Sequence, residues 1–120
     1  MTGSRSFKDL IVWQRSMELV REVYEVTRGF PRHEEFALSS QLRRAAVSVP
    51  ANIAEGFPKR GPSDKTRFFN IAQGSLEESH YYLILAKDLG YGDSANLLTM
   101  YDEVARLLNG YASAILTSNS

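Results

Sequence analysis

The stretch Gln41–Gly56, QLRRAAVSVPANIAEG, limits what this chain can fold into more than any other. Set on a helix of 3.6 residues per turn, it divides into three faces. Leu42, Ala45, Ala46, Val49 and Ile53, with Leu38 just ahead of them, form a core stripe at helical spacing. Gln41, Arg44, Ser48, Asn52 and Glu55 form a narrow polar stripe. Arg43, Val47, Pro50, Ala51 and Ala54 form a third face that is mostly small and apolar. A surface helix of a monomer needs one apolar face. Two such faces predict that this helix is covered from two sides. Pro50 has no N–H, and its ring crowds the carbonyl of Ala46, so it either kinks one helix or starts a new one. The polar stripe keeps its phase across Pro50, which favours one kinked helix.

The remaining segments show the same periodicity. The first helix is expected over about residues 9–28, with Asp9 as its cap and Gly29-Phe30-Pro31 as its stop. Its seam reads Leu10, Trp13, Met17, Val20, Tyr24, Thr27. Glu18–Arg21 and Arg21–Glu25 are expected surface ion pairs. The second helix is expected over about 33–56, with Gly56 as its stop. Phe57-Pro58-Lys59-Arg60-Gly61-Pro62 is the clearest loop. A third helix follows over about 64–89, capped by Ser63, with the seam Phe68, Ala72, Ser75, Ser79, Tyr82, Ala86, Leu89, widened by Ile71, Leu76 and Leu83. Tyr81, Ile84 and Leu85 point away from that seam and suggest a subunit contact. Gly90-Tyr91-Gly92 turns the chain. The fourth helix, over about 94–116 with Asp93 or Ser94 as its cap, has the seam Leu97, Tyr101, Val104, Leu108, Tyr111, Ile115, and it is expected to continue through Asn109-Gly110. Thr117–Ser120 is expected to fray. The reading is all-α: one domain over 1–120, an antiparallel up-down-up-down four-helix bundle, assembling into a ring-like homo-oligomer.

Composition narrows the function. The 120 residues contain no cysteine, hence no disulfide framework and no thiolate metal site. Met1–Arg5 is short and polar, and no stretch approaches the roughly 18 apolar residues of a membrane span. A cytoplasmic protein with no membrane partner is expected. Lys plus Arg number 14, as do Asp plus Glu, so the net charge is zero, against a generic polyanion binder. Between residues 41 and 68, however, six basic residues (Arg43, Arg44, Lys59, Arg60, Lys65, Arg67) face two acidic ones (Glu55, Asp64), a local balance of +4.

Candidate chemistry is sparse. Glu77 and His80 give one Glu-x-x-His, where a di-metal bundle site needs two such motifs and two further glutamates. Gly56 and Gly61 have phosphate-loop spacing, but Pro62 stands where the lysine must be and no strand precedes it. With two histidines in the chain, none is placed to activate a serine. No enzyme activity, cofactor, metal or small-molecule substrate is expected. Arg44, Asn52, Glu55 and Glu78 are read either as a register-fixing polar network, with Arg43 or Arg44 meeting Glu55 or Glu78, or as a solvated stripe. Lys59, Arg60, Lys65 and Arg67, with Arg43 and Arg44, are read as phosphate contacts for RNA or DNA, with Phe57 available to stack a base, or as an ordinary charged loop.

Phe7–Gln14 (FKDLIVWQ), Phe30-Pro31, Gln41–Gly56, Phe68–Glu78 (FFNIAQGSLEE) and Leu85–Tyr91 together resemble the bacterial four-helix bundle family known as S23 ribosomal proteins or 23S rRNA intervening-sequence proteins. His80, where an acidic residue is usual, and the Pro58/Pro62 loop depart from the pattern. The resemblance implies a bundle that closes into a ring, a homopentamer, and the spare apolar faces of the second and third helices offer Val47, Ala51, Ala54, Tyr81, Ile84 and Leu85 as its contact residues. It also implies kinship with the accessory variability proteins of diversity-generating retroelements, which form barrels and bind nucleic acid. The competing expectation is a protein–protein scaffold that binds no nucleic acid.

Overall fold

Two of the expected helix starts are replaced by short turns. In the computed structural model, which describes residues 5–92 and 95–118, Phe7–Asp9 is a 3-10 turn. Ser6 caps it, and the Asp9 carboxylate accepts from the Ser6 amide in return, closing a capping box. Leu10 is extended, and α1 (Ile11–Thr27) begins after it. Asp9 therefore belongs to the turn and does not cap α1. Arg32–Glu34 forms a second 3-10 turn, and α2 starts only at Leu38, running to Gly56. α3 spans Pro62–Asp88 and α4 spans Ala95–Ser118. Gly61 is the N-cap of α3 and Pro62 sits in its first turn, where a missing N–H costs nothing, so Ser63 lies inside the helix. The expected caps Asp93 and Ser94 lie outside the described residues, as do residues 119 and 120.

α2 is continuous through Pro50, and α4 is continuous through Asn109-Gly110, as the periodicity predicts. After α3 the chain turns in the left-handed region at Gly90, φ +79°, and again at Gly92, φ +130°. The Tyr91 N–H donates to the Ala86 carbonyl at 2.9 Å and the Gly90 N–H to Lys87 at 3.0 Å, a complete Schellman end. Gly29 and Gly56 do not use this device, because neither has positive φ. Gly56 is needed for proximity instead: a Cβ there would lie 2.7 Å from the Cβ of Phe68.

Each helix packs on its neighbours in sequence, and α1 packs on α4, while the diagonal pairs stay apart. α2 on α3 is the most extensive pairing. This is a four-helix bundle, 49 Å long and about 20 Å across its short axes; at 1.5 Å per residue α3 alone spans roughly 40 Å. The core draws on all four helices, with Leu19, Leu42, Ile53, Leu76, Leu97 and Leu108 among its fully buried side chains.

The α2, α3 and α4 seams lie largely where the periodicity puts them. In α3 the widening residues Leu76 and Leu83 are core, while Ile71 and Leu89 are exposed and Ser75 and Tyr82 only half-buried. The α1 seam is one residue out of phase between its ends, while Leu10 and Thr27 are buried as expected. Val12, Ser16, Leu19, Val23 and Thr27 are buried; Trp13, Met17 and Val20 are half-buried, and Tyr24 is exposed. The hydroxyls tolerate burial because each bonds within its own helix: Ser16 to the Trp13 carbonyl at 2.8 Å, and Thr27 to Val23 at 2.8 Å. The surface pairs of α1 also differ from expectation. Glu18 pairs with Arg15 at 3.0 Å and Glu25 with Arg28 at 2.5 Å; Arg15 also reaches Glu103 on α4 at 3.4 Å.

Candidate functional site

The six candidate phosphate contacts fall into two groups. Arg43 and Arg44 lie on the N-terminal half of α2, and Lys59, Arg60, Lys65 and Arg67 on or just after the loop that follows it. From position 43 to 59 is roughly 24 Å at 1.5 Å per residue, so they do not form one patch.

At the loop, aromatic rings position the cations. The ammonium of Lys59 and the guanidinium of Arg67 lie 5.2 and 4.5 Å from the centre of the Phe68 ring. Lys65 lies 5.4 Å from the Phe57 ring, and its Nζ donates to the Phe57 carbonyl at 2.8 Å. Phe57 is thus covered by Lys65 and packed against the core, which removes it as a free stacking platform. Arg67 is also 3.6 Å from Asp64, and Arg60 is exposed. The loop presents clustered positive charge, and Arg67 alone of the four cations also lines an open groove with Pro62, Ile71 and Leu116.

At the other end, Arg43 donates from Nε to the Thr27 hydroxyl at 2.7 Å, with its guanidinium 5.0 Å from the centre of the Tyr24 ring. Arg43 also lines two adjoining clefts. One, of about 290 Å3, is bounded by Thr27, Arg28, Phe30, Pro31, Arg32, Glu35 and Ser39. The other is bounded by Tyr24, Phe36, Ser40, Arg44 and Val47, with Glu35 common to both. Phe36 is 91% exposed. Arg28, Arg32 and Phe36 carried no signal in the sequence, because a helix beginning near His33 would have placed Phe36 and Ser39 inside its body.

The polar stripe of α2 makes a different network from the one expected. Asn52 donates from Nδ2 to the Ser48 carbonyl at 2.8 Å and hydroxyl at 3.0 Å, and the Ser48 hydroxyl meets that of Ser75 on α3 at 2.8 Å. Arg44 shares a cleft with Gln41, Ser48, Ser75 and Glu78, without an ion pair among the described residues. Glu78 accepts from the Tyr82 hydroxyl at 2.8 Å, which raises the Tyr82 pKa. Glu55 is exposed and stands apart. Neutral hydroxyls and an amide, rather than a buried ion pair, link α2 to α3 here.

Of the candidate contact residues, Val47, Tyr81 and Ile84 are 40, 56 and 50% exposed. Ala51 is exposed and Ala54 half-buried. Leu85 packs against the core instead of pointing away from it. Glu77 is exposed, and His80 stacks on Tyr101 with ring centres 5.1 Å apart. Tyr101 also hydrogen-bonds Ser79 in the interior, and burial pushes its pKa up to about 12. Glu34 accepts from Tyr91 at 2.6 Å and from the Leu38 N–H at 3.3 Å, which lowers its pKa and ties the start of α2 to the turn after α3. Among the described residues no three metal-binding side chains converge, and no helix is long and apolar enough to cross a membrane.

Comparison with known proteins agrees with this architecture. A crystal structure of a protein of unknown function from the S23 ribosomal protein family of Bacteroides thetaiotaomicron VPI-5482 superposes with a TM-score of 0.77 at 24% identity, covering 88% of this chain and 98% of that one. At that identity the likeness speaks for the fold. No curated protein matches. The sequence pattern of the family described as "23S rRNA-intervening sequence protein" matches residues 8–110, and the chain belongs to that family.

Proposed function

We propose that the chain is a cytoplasmic, non-catalytic adaptor that assembles with copies of itself and binds RNA or DNA. Its helices run antiparallel, up-down-up-down, and five copies close a ring. The pairings Gly56 with Phe68 and Ser48 with Ser75 support the first point, since one position falls as the other rises. The exposed apolar residues Val47 and Ala51 on α2 and Tyr81 and Ile84 on α3 supply contact surface for neighbouring copies. The observation that carries nucleic-acid binding is the cationic cluster Lys59, Arg60, Lys65 and Arg67, held against Phe57 and Phe68 at one end of the bundle. A ring repeats that cluster around an axis, so a modest patch becomes a continuous track for a phosphate backbone.

A protein–protein scaffold is the second reading. It is favoured by the zero net charge and by an apolar groove of about 680 Å3 lined by Pro62, Ile71 and Leu116. Light scattering on the purified protein, followed by binding of single-stranded RNA and DNA across a salt series, separates the two. A mass near five chains, with affinity falling at a log–log slope of about −3 for four contacts per protomer, supports the adaptor. A monomer, or affinity absent at low salt, overturns it and leaves the scaffold.

A further inference from the structure

The corner between α1 and α2 holds a second concentration of positive charge, and it is built differently from the loop. We propose that the cleft bounded by Thr27, Arg28, Arg32, Ser39 and Arg43 is a binding site for a phosphate group. The site goes beyond nucleic-acid binding at the loop, because it would recognise the phosphate of a small molecule by the same chemistry.

Four observations converge on it. First, α2 has no side-chain cap: Ala37 occupies the N-cap position. The Leu38 N–H is taken by Glu34 at 3.3 Å, but the N–H groups of Ser39 and Ser40 make no hydrogen bond among the described residues. Two uncommitted amides at the positive end of a helix dipole favour an anion. Second, Ser39 is only 3% exposed, lines the cleft, and its hydroxyl has no partner among the described residues. A largely buried serine whose hydroxyl is uncommitted beside a cleft can donate to an acceptor seated there. Third, Thr27 fixes Arg43 through Nε at 2.7 Å, which leaves the terminal nitrogens of the guanidinium for a further acceptor, while Arg28 and Arg32 add charge at the rim. Fourth, of the last four carbonyls of α1, Tyr24, Val26 and Thr27 already accept from Arg28, Gly29 and Phe30, which leaves the guanidiniums of Arg28, Arg32 and Arg43 to set the sign of the cleft against the negative end of α1.

Two carboxylates bear on the charge balance. Glu25 holds Arg28 at 2.5 Å, and Glu35 lines the cleft from an exposed position. Against three guanidiniums they leave a net positive charge. The cleft, at about 290 Å3, is larger than one phosphate and admits the group to which it is esterified, with Phe30 and Pro31 as its apolar wall.

The test is a nuclear magnetic resonance titration of the full, isotopically labelled chain with inorganic phosphate, against sodium chloride at matched ionic strength. Saturable shifts at the Ser39 and Ser40 amides are expected. Arg32→Gln, at an exposed position that leaves the fold intact, and Ser39→Ala should each weaken binding by about tenfold, the usual effect of losing one charge-assisted hydrogen bond. Arg21→Gln, which removes the same charge from elsewhere on α1, should leave it unchanged. Glu35→Gln should tighten it. Shifts no different from those in chloride, or binding indifferent to both Arg32→Gln and Ser39→Ala, would overturn the site. A parallel titration with a short single-stranded oligouridylate identifies the source. If the oligomer moves the same amides, the phosphate belongs to a strand. If inorganic phosphate seats and the oligomer does not move these amides, the site stands for a small phosphorylated molecule, and the nucleic-acid reading fails only if the oligomer also leaves Lys59–Arg67 unmoved. If the oligomer binds only around Lys59–Arg67 and phosphate does not seat, the corner site fails while the adaptor reading survives.

Discussion

α1 and α4 pack side by side, and both carry apolar residues at a spacing of three and four, but they use that spacing in opposite ways. In α4 the large side chains Leu97, Tyr101, Val104 and Leu108 all face inward. In α1 the stripe with the largest residues, Trp13, Met17, Val20 and Tyr24, lies at the flank of the core, with Trp13 and Val20 half-buried against it, and a stripe containing Ser16, Leu19 and Val23 is buried. The two α1 stripes are one residue, or about 100°, apart. Residue size alone does not choose between them. What permits the smaller stripe is that its hydroxyls satisfy themselves on the preceding turn, so their burial leaves no unpaired donor. The lesson is that a serine or threonine in a helix is compatible with the core whenever the carbonyl three or four residues back is its acceptor.

Substitutions can break or sharpen this contrast. Leu19→Ala in α1 and Leu108→Ala in α4, at sites 0 and 1% exposed, should each cost about 3 kcal/mol in urea unfolding. A loss for Leu19→Ala as small as that of a surface change would restore the other α1 stripe to the core. The next effect belongs to α4. Burial raises the Tyr101 pKa from the ordinary 10 to about 12, so the folded chain holds that proton more tightly than the unfolded one. The associated stability is fully present below about pH 10 and is lost as pH rises toward 12, roughly 3 kcal/mol in all. Tyr101→Phe should flatten that part of the stability–pH curve, and an unchanged alkaline loss would place its cause in another group. Met17→Ala, on the half-buried flank of α1, should cost less than about 1 kcal/mol by the same urea assay. Ser16→Ala should change stability by no more than about 0.5 kcal/mol, since the Trp13 carbonyl keeps its helical partner. A larger loss there would mean that the hydroxyl does more than tolerate burial.

The four helices were readable because their periodicity is local. The polar stripe carried α2 across Pro50, and Gly90-Tyr91-Gly92 announced a turn that only glycines can make. The phase of α1 was not readable, because it depends on which neighbours press on it. Gly56 does end α2, but its need for a missing Cβ arises from Phe68 on the next helix, which the sequence does not show. The candidate sites divide in the same way. The basic loop is contiguous in sequence and visible there, whereas the phosphate corner gathers Arg28, Arg32, Ser39 and Arg43 across a turn whose 3-10 geometry shifts the start of α2. One local sign was available: Leu38 has no capping side chain ahead of it, and the serines sit two and three places too late to cap.

The interlocking of α2 and α3 also bears on the order of assembly. These helices are joined by residues 57–61 and meet at once, Gly56 against Phe68 and then Ser48 against Ser75. α1 and α4 meet only across most of the chain, as Arg15 does with Glu103. Short loops close at small entropic cost, and contacts near in sequence form early. Nucleation is therefore expected at the α2–α3 pair. Stopped-flow refolding should show Gly56→Ala slowing folding, whereas Leu19→Ala mainly hastens unfolding; the reverse pattern would move the nucleus to α1. On a ribosome, α1 emerges first yet finds a lasting place only after the helices behind it have paired, so its seam with α4 is the last to close.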